Sequence, residues 1–172
     1  MIQSTSSPKS RVDRLAVAFG TGLYVGFCPY APGTIGSMWG PPLVGLMIAA
    51  KIPVAATLMI AVVFIAVGVP ICTRAARCLG SHDPGSVVYD EVAAFWIVFL
   101  PHIIRQEQQL NWPSMLVGFL LFRLFDITKI WPASRLERLP DGTGIMADDL
   151  AAAVYAAIGL WLVETYLFPV IV

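Results

Sequence analysis

The residues with chemical potential in this chain are acidic and few. Asp90 and Glu91 stand side by side in SVVYDEVAAFW, Asp126 follows in FRLFDITK, and Asp148 and Asp149 form a second adjacent pair in GIMADDLAAA, directly ahead of an uncharged run from Leu150 to Val163. Each lies at the end of an apolar stretch. Carboxylates brought together at low effective dielectric repel one another by several kcal/mol, and a cation relieves that repulsion. Magnesium suits the set, because it takes one or two carboxylates and fills its other positions with water and phosphate oxygens. Two cationic residues accompany the acids: Arg123, whose planar fork suits bidentate phosphate contact, and Lys129, a compact point charge. The stretch APGTIGS sets Thr34, Gly36 and Ser37 ahead of an apolar segment. Glycines and small hydroxyls at a helix start leave backbone N–H groups free to receive an anion, although a Pro-Gly turn joining two helices reads the same way. Carboxylates, a divalent cation and a phosphate together suggest phosphoryl chemistry.

The elements that must position these groups are apolar helices. Of 172 residues, 58% are hydrophobic and 13% charged, against roughly 25% charged in ordinary soluble domains. Mean hydropathy is +0.76. The chain therefore reads as one all-α integral membrane domain, residues 1–172, with an N-terminal interfacial or buried helix in 1–30 and a small polytopic bundle in 31–172. A basic stretch from Lys9 to Arg14 precedes the apolar Leu15 to Phe27, but glycines, Pro29 and the lack of a small-residue cleavage site argue against a signal peptide. Ile52 to Thr73 is a 22-residue uncharged run, long enough to cross about 30 Å of hydrocarbon. Shorter runs at Ser37–Ala50, Val92–Ile104, Gln108–Phe122 and Leu150–Val163 bring the expectation to four or five spanning or re-entrant helices. The expected connections are KIP at 51–53, the segment 74–86, the RQEQQLN turn at 105–111 and a long loop over 128–147.

If each run crosses once or dips as a hairpin, Arg74, Arg77, Arg123, Lys129, Arg135 and Arg138 share one face, against Lys51 and Arg105 on the other. The richer face is then cytoplasmic. Asp83, Asp90, Glu91, Asp126, Glu137, Asp141, Asp148 and Asp149 fall on that same face, while Glu107 and Glu164 fall opposite. Acids at helix N-termini also serve as plain caps, favoured by about 0.3–1 kcal/mol, and that reading stays open for Asp90, Glu91, Asp148 and Asp149. Asp126 sits at a helix C-terminus, where the dipole disfavours it, so pairing with Arg123 or Lys129 is its structural alternative. Adjacent helical residues point about 100° apart, so Asp148 and Asp149 face one point only at an irregular helix start.

Three stretches, APGTIGS (31–37), DPGSVVYDEVAAFW (83–96) and FRLFDITKIWPASRLERLPDGTGIMADDLAA (122–152), resemble the phosphatidylglycerophosphatase A family in content, order and spacing. The resemblance implies a magnesium-dependent bacterial inner-membrane enzyme with its site facing the cytoplasm. The implied reaction removes the terminal phosphate of phosphatidylglycerophosphate to give phosphatidylglycerol. It further implies that Asp90, Glu91, Asp126, Asp148 and Asp149 are catalytic and that Asp90, Glu91, Asp126 and Asp149 hold the metal, with Asp148 coordinating or orienting. Arg123 and Lys129 would face the phosphate, and Thr34, Gly36 and Ser37 would belong to a phosphate loop. The chain departs from the family pattern at Ala94, Ile130 and Gly142-Thr143-Gly144, none of which removes a charged group.

Other chemistries find less support. A net charge of zero offers nothing for nucleic acid. Cys28, Cys72 and Cys78 make neither a disulfide framework nor a metal motif and read as packing residues. Cys72 precedes Arg77 by one residue fewer than a cysteine phosphatase needs. His82 falls in a polar loop and His102 at a helix end. A phosphatase for another lipid or prenyl phosphate remains an alternative. So does a divalent-cation transporter, although the spans carry almost no ionisable residues to form a path.

Overall fold

A computed structural model of the chain describes residues 10–105 and 110–167. Lys9, and residues 106–109 of the 105–111 turn with Glu107, lie outside the described residues. Among the described residues all regular structure is helical.

Helix α1 (Arg11–Gly20) opens on a capping box in which Ser10 accepts from the Asp13 amide at 3.1 Å and Asp13 returns the contact at 3.0 Å. After a 3₁₀ turn at Val25–Phe27 come two short helices, α2 (Pro32–Ser37) and α3 (Gly40–Ala49). The stretch expected as one segment over Ser37–Ala50 is thus divided, and the ten residues of α3 rise only about 15 Å. Helix α4 (Val54–Leu79) follows Pro53 and ends where Gly80 takes the left-handed conformation that its missing Cβ permits.

Residues Val92–Ile104 do not form one continuous helix either. Helix α5 (Tyr89–Val98) stops before Phe99, and α6 (Leu100–Ile104) restarts with Pro101 in its first turn. Proline lacks the N–H that would continue the ladder and clashes with the carbonyl four residues back. Helix α7 (Trp112–Thr128) begins at an Asn111 cap whose side chain accepts from the Ser114 amide at 2.8 Å. The 128–147 segment contains helix α8 (Ala133–Leu136) and the start of α9 (Asp141–Tyr166).

Helix α9 packs against α4, α5 and α7, while α3 covers α5 and α1 lies along α4. The core is the short α5 enclosed by its neighbours, with Ala93, Ala94, Phe95, Val98 and Phe99 fully buried. Among the described residues two helices, α4 and α9, are long and apolar enough to cross a membrane. In α4 only 17% of the most apolar window is buried inside the protein, and Met59, Val62 and Val63 point outward. A soluble core helix would hide that face; here it is turned to the surroundings, as a contact with hydrocarbon requires.

Candidate active site

The site is assembled from four helices, α2, α5, α7 and α9. Helix α5 starts where the Val88 amide donates to the Gly20 carbonyl at 2.8 Å, which fixes Asp90 and Glu91 in its first turn facing inward. Asp90 is 6% exposed. From α7, Arg123 Nη1 reaches Glu91 Oε1 at 3.0 Å and Asp126 Oδ2 at 2.7 Å, the three side chains being nearly buried. Asp126 thus gains a reason for its place at a helix C-terminus: Arg123, one turn earlier, is its partner.

Helix α2 closes the site from the side. A Cβ at Gly33 would stand 2.4 Å from Glu91 Oε1 and 3.2 Å from Arg123 Nη2, and one at Gly36 would meet Val88 at 2.6 Å. These glycines let the α2 backbone lie directly on the Glu91–Arg123 pair and on the start of α5. The Ser37 hydroxyl donates to the Thr34 carbonyl at 3.1 Å and lies beside the Glu91 carboxylate. The segment 31–37 is itself a single helical turn and a half rather than an open loop.

The last two acids come from α9. The helix begins at Asp141, so Asp148 and Asp149 sit two turns inside it, in regular geometry, and point in different directions. Asp148 Oδ2 accepts from Lys129 Nζ at 2.9 Å, and the same ammonium reaches Glu137 Oε1 at 2.9 Å. Lys129 caps α7 with a positive φ of 43°, which swings its side chain toward α8 and α9. Burial alone would lower its pKa, but hydrogen bonds to Glu137 and Asp148 outweigh that and raise it above the ordinary lysine value. Asp149, 4% exposed, is within electrostatic reach of Asp90, Asp126, Asp148 and Glu91.

Four oxygens in this cluster, Asp90 Oδ1, Glu91 Oε2, Asp148 Oδ1 and Asp149 Oδ2, are buried without a hydrogen-bond partner in the protein, as is Arg123 Nε. Buried polar atoms are almost always paired. The unpaired acceptors lie beside one another, with Arg123 and Lys129 as the cations against five carboxylates, and are the atoms that could hold an external cation. The donors are all hard carboxylate oxygens, which fit magnesium. Among the described residues no three His, Cys, Asp or Glu side chains are gathered closely enough to cage an ion by themselves.

Three neighbours escaped the sequence reading as site residues. Asp83 is within reach of Asp90 and Asp148, Glu137 shares Lys129, and Cys72, fully buried, lies against Asp90. Asp83 opens the same motif as Asp90, so its signal was in the sequence; Glu137 and Cys72 carried none beyond their type.

Acids facing a basic pair inside an all-helical bundle with long apolar helices define a membrane-associated phosphoric monoester hydrolase, given what the chain is similar to. The profile of the family described as phosphatidylglycerophosphatase A matches residues 18–164. A phosphatidylglycerophosphatase A from Haemophilus influenzae is 35% identical over 157 residues, covering 91% of this chain and 90% of its own. One from Escherichia coli is 35% identical over 144 residues, covering 83% and 77%. A Bacteroides thetaiotaomicron protein, provisionally named a phosphatidylinositol-3-phosphatase, is 32% identical over 161 residues, covering 89% and 98%. No solved structure matches the chain. The chain belongs to the phosphatidylglycerophosphatase A family.

Proposed function

We propose that the chain hydrolyses phosphatidylglycerophosphate to phosphatidylglycerol and inorganic phosphate, as a magnesium-dependent step of phospholipid biosynthesis. The reaction occurs at the cytoplasmic face of a bacterial inner membrane in which the bundle is held by four or five spanning or re-entrant helices, α4 and α9 being the two among the described residues long enough to cross. The observation that carries this reading is the set of unpaired carboxylate oxygens beside Arg123 and Lys129. The two relatives named phosphatidylglycerophosphatase A support the substrate, and the distribution of basic residues supports the orientation.

Asp90, Glu91, Asp126 and Asp149 would hold the metal, with Asp148 coordinating or orienting. Magnesium, when bound, neutralises these acids and draws charge from the phosphate oxygens. Arg123 meets the phosphate through its Nε–H, which has no acceptor within the protein, while its Nη1 stays on Glu91 and Asp126. Lys129 holds Asp148 and adds positive charge toward the developing anion. Asp149 or Glu91 takes a proton from the attacking water. The water oxygen bonds to phosphorus as the bond from phosphorus to the glycerol oxygen breaks, and the carboxyl that took the proton returns it to the glycerol oxygen, which leaves as an alcohol. Thr34, Gly36 and Ser37 bring the α2 backbone against the anion and exclude bulk water from the Glu91 side.

The test is phosphate release from phosphatidylglycerophosphate in detergent micelles, with magnesium and with excess EDTA, beside a panel of phosphoinositide, phosphatidate and prenyl phosphates. Preference for phosphatidylglycerophosphate, lost in EDTA and in Asp149→Asn, is the expected result. Faster turnover of a phosphoinositide would move the substrate toward the one named for the Bacteroides relative and overturn the assignment.

A further inference from the structure

Helices α1 and α4 form a second feature on the far side of α4 from the acids. Cys72 faces the carboxylate site, whereas Arg74 and Arg77 turn away from it. Helix α1 is held there by Asp13 Oδ1, which accepts from Arg74 Nε at 2.7 Å, and by Gly20, whose missing Cβ would stand 2.8 Å from Ala75.

Two hollows meet at Pro70 and Arg74. One, of about 220 Å³, is an apolar groove between Val12, Leu15 and Phe19 of α1 and Ile71 of α4. The other, of about 660 Å³, is lined by Thr73, Arg74, Arg77 and Cys78. Val12, Leu15 and Phe19 are each more than half exposed, on one face of a helix that also carries exposed Arg11 and Arg14. Arg74 meets Asp13 through Nε, and Arg77 meets Asp141 through Nη2 at 2.9 Å. Both side chains are more than half exposed and keep other N–H groups for a ligand. Thr73 is already engaged, donating to the Val69 carbonyl and accepting from the Gly142 amide, so the arginines carry the recognition.

We propose that this is a binding site for an anionic phospholipid, distinct from the hydrolytic site, with one acyl chain in the α1–α4 groove and the phosphate against Arg74 and Arg77. A ligand that fills both hollows must join an apolar chain to an anion. The junction lies at the C-terminal end of α4, one of the two helices able to cross a membrane, where headgroups stand. The charged groups around it are Arg11, Arg14, Arg74 and Arg77 against Asp13 and Asp141, an excess of cations that favours an anionic over a zwitterionic headgroup. The site does not depend on which phosphomonoester the acids hydrolyse.

The experiment is native mass spectrometry of the full-length protein from detergent micelles doped with phosphatidylglycerol or phosphatidylcholine of identical chains, with glycerol 3-phosphate as a chain-free competitor. The wild type and Asp149→Asn are expected to retain phosphatidylglycerol alike and in preference to phosphatidylcholine. Arg74→Gln/Arg77→Gln should weaken retention roughly tenfold or more, and Leu15→Asn, a surface change that leaves both arginines, should weaken it too. Micellar phosphate release by Arg74→Gln/Arg77→Gln and by Leu15→Asn should stay near the wild-type rate. Equal retention of the two lipids, undiminished retention by both variants, full displacement by glycerol 3-phosphate, or loss of the lipid in Asp149→Asn would each overturn the proposal, the last by assigning the lipid to the hydrolytic site.

Discussion

Replacing Gly142 with alanine tests whether the approach of α9 to α4 sets the position of the acids. A Cβ there would lie 2.2 Å from the Val69 carbonyl oxygen and 2.6 Å from both the amide nitrogen and the hydroxyl of Thr73. Two of these atoms are backbone, so no rotamer change relieves the overlap. Ordinary contact needs about 3.5 Å, and the helices must separate by about 1 Å. Overpacking of this kind costs about 1–3 kcal/mol. The Gly142 amide would also lose its 2.9 Å bond to Thr73 Oγ1, about 1 kcal/mol more. Asp148 stands about 9 Å further along the same helix, so a tilt at Gly142 carries to it, and a misplacement of about 1 Å costs about a hundredfold in rate. Thermal unfolding and phosphate release, measured in one detergent, should therefore both fall, by about 2–4 kcal/mol and about two orders of magnitude. Gly85→Ala is the control, since a Cβ there meets nothing within 4 Å and should change stability by less than about 0.5 kcal/mol. If Gly142→Ala behaves like Gly85→Ala in both assays, the close approach does not position the acids and the reasoning fails.

Asp149→Asn should abolish turnover yet melt higher than the wild type in EDTA, because it removes one charge from a cluster of unpaired acids. Added magnesium should reverse the order by stabilising the wild type more, by about 2.7 kcal/mol at a hundred times its dissociation constant; equal gains in the two proteins would argue against a carboxylate-held metal. Lys129→Gln should lower stability across neutral pH. The native lysine pKa is raised, so its contribution is complete below the unfolded value of about 10.4 and disappears as pH climbs through the higher native value. Melting curves of the two proteins should converge only in that alkaline range, and convergence near pH 8 would contradict the Lys129 pairing. At the far end of the bundle, Glu164 accepts from Ser114 and meets His102 Nε2 at 2.9 Å. Glu164→Gln should cost about 1–3 kcal/mol in melting while the rate constant stays unchanged, and a selective drop in kcat without destabilisation would bring that cluster into the mechanism.

The acidic residues and the apolar runs were legible because both are matters of residue type, although type alone left capping open as the use of a carboxylate at the end of an uncharged stretch. What the sequence concealed was the meaning of its glycines. In APGTIGS and PDGTGIMADD, proline and glycine read as loop punctuation, yet both segments are helical. Their glycines are spaces for a neighbour: Gly33 for the Glu91 carboxylate, Gly142 for the α4 backbone, and Gly144 for the Leu139 and Glu137 carbonyls. Tertiary contact here outweighs a propensity cost of about 1 kcal/mol per glycine, and no local pattern reports it. The break between α5 and α6, in contrast, is signalled by Pro101, which cannot continue the helical ladder.

The misread helix start changes what Asp148 and Asp149 can be. At the first turn of α9 they would be stabilised by the macrodipole, and capping would account for them. That effect fades beyond the first turn, which is occupied instead by Asp141, paired with Arg77. Two turns further in, the adjacent acids diverge by about 100°: Asp148 finds Lys129, but Asp149 finds chiefly other carboxylates. A buried acid among acids opposes folding unless something binds it. Asp149 Oδ2 has no hydrogen-bond partner in the protein, and on the proposed reading the metal is what binds it.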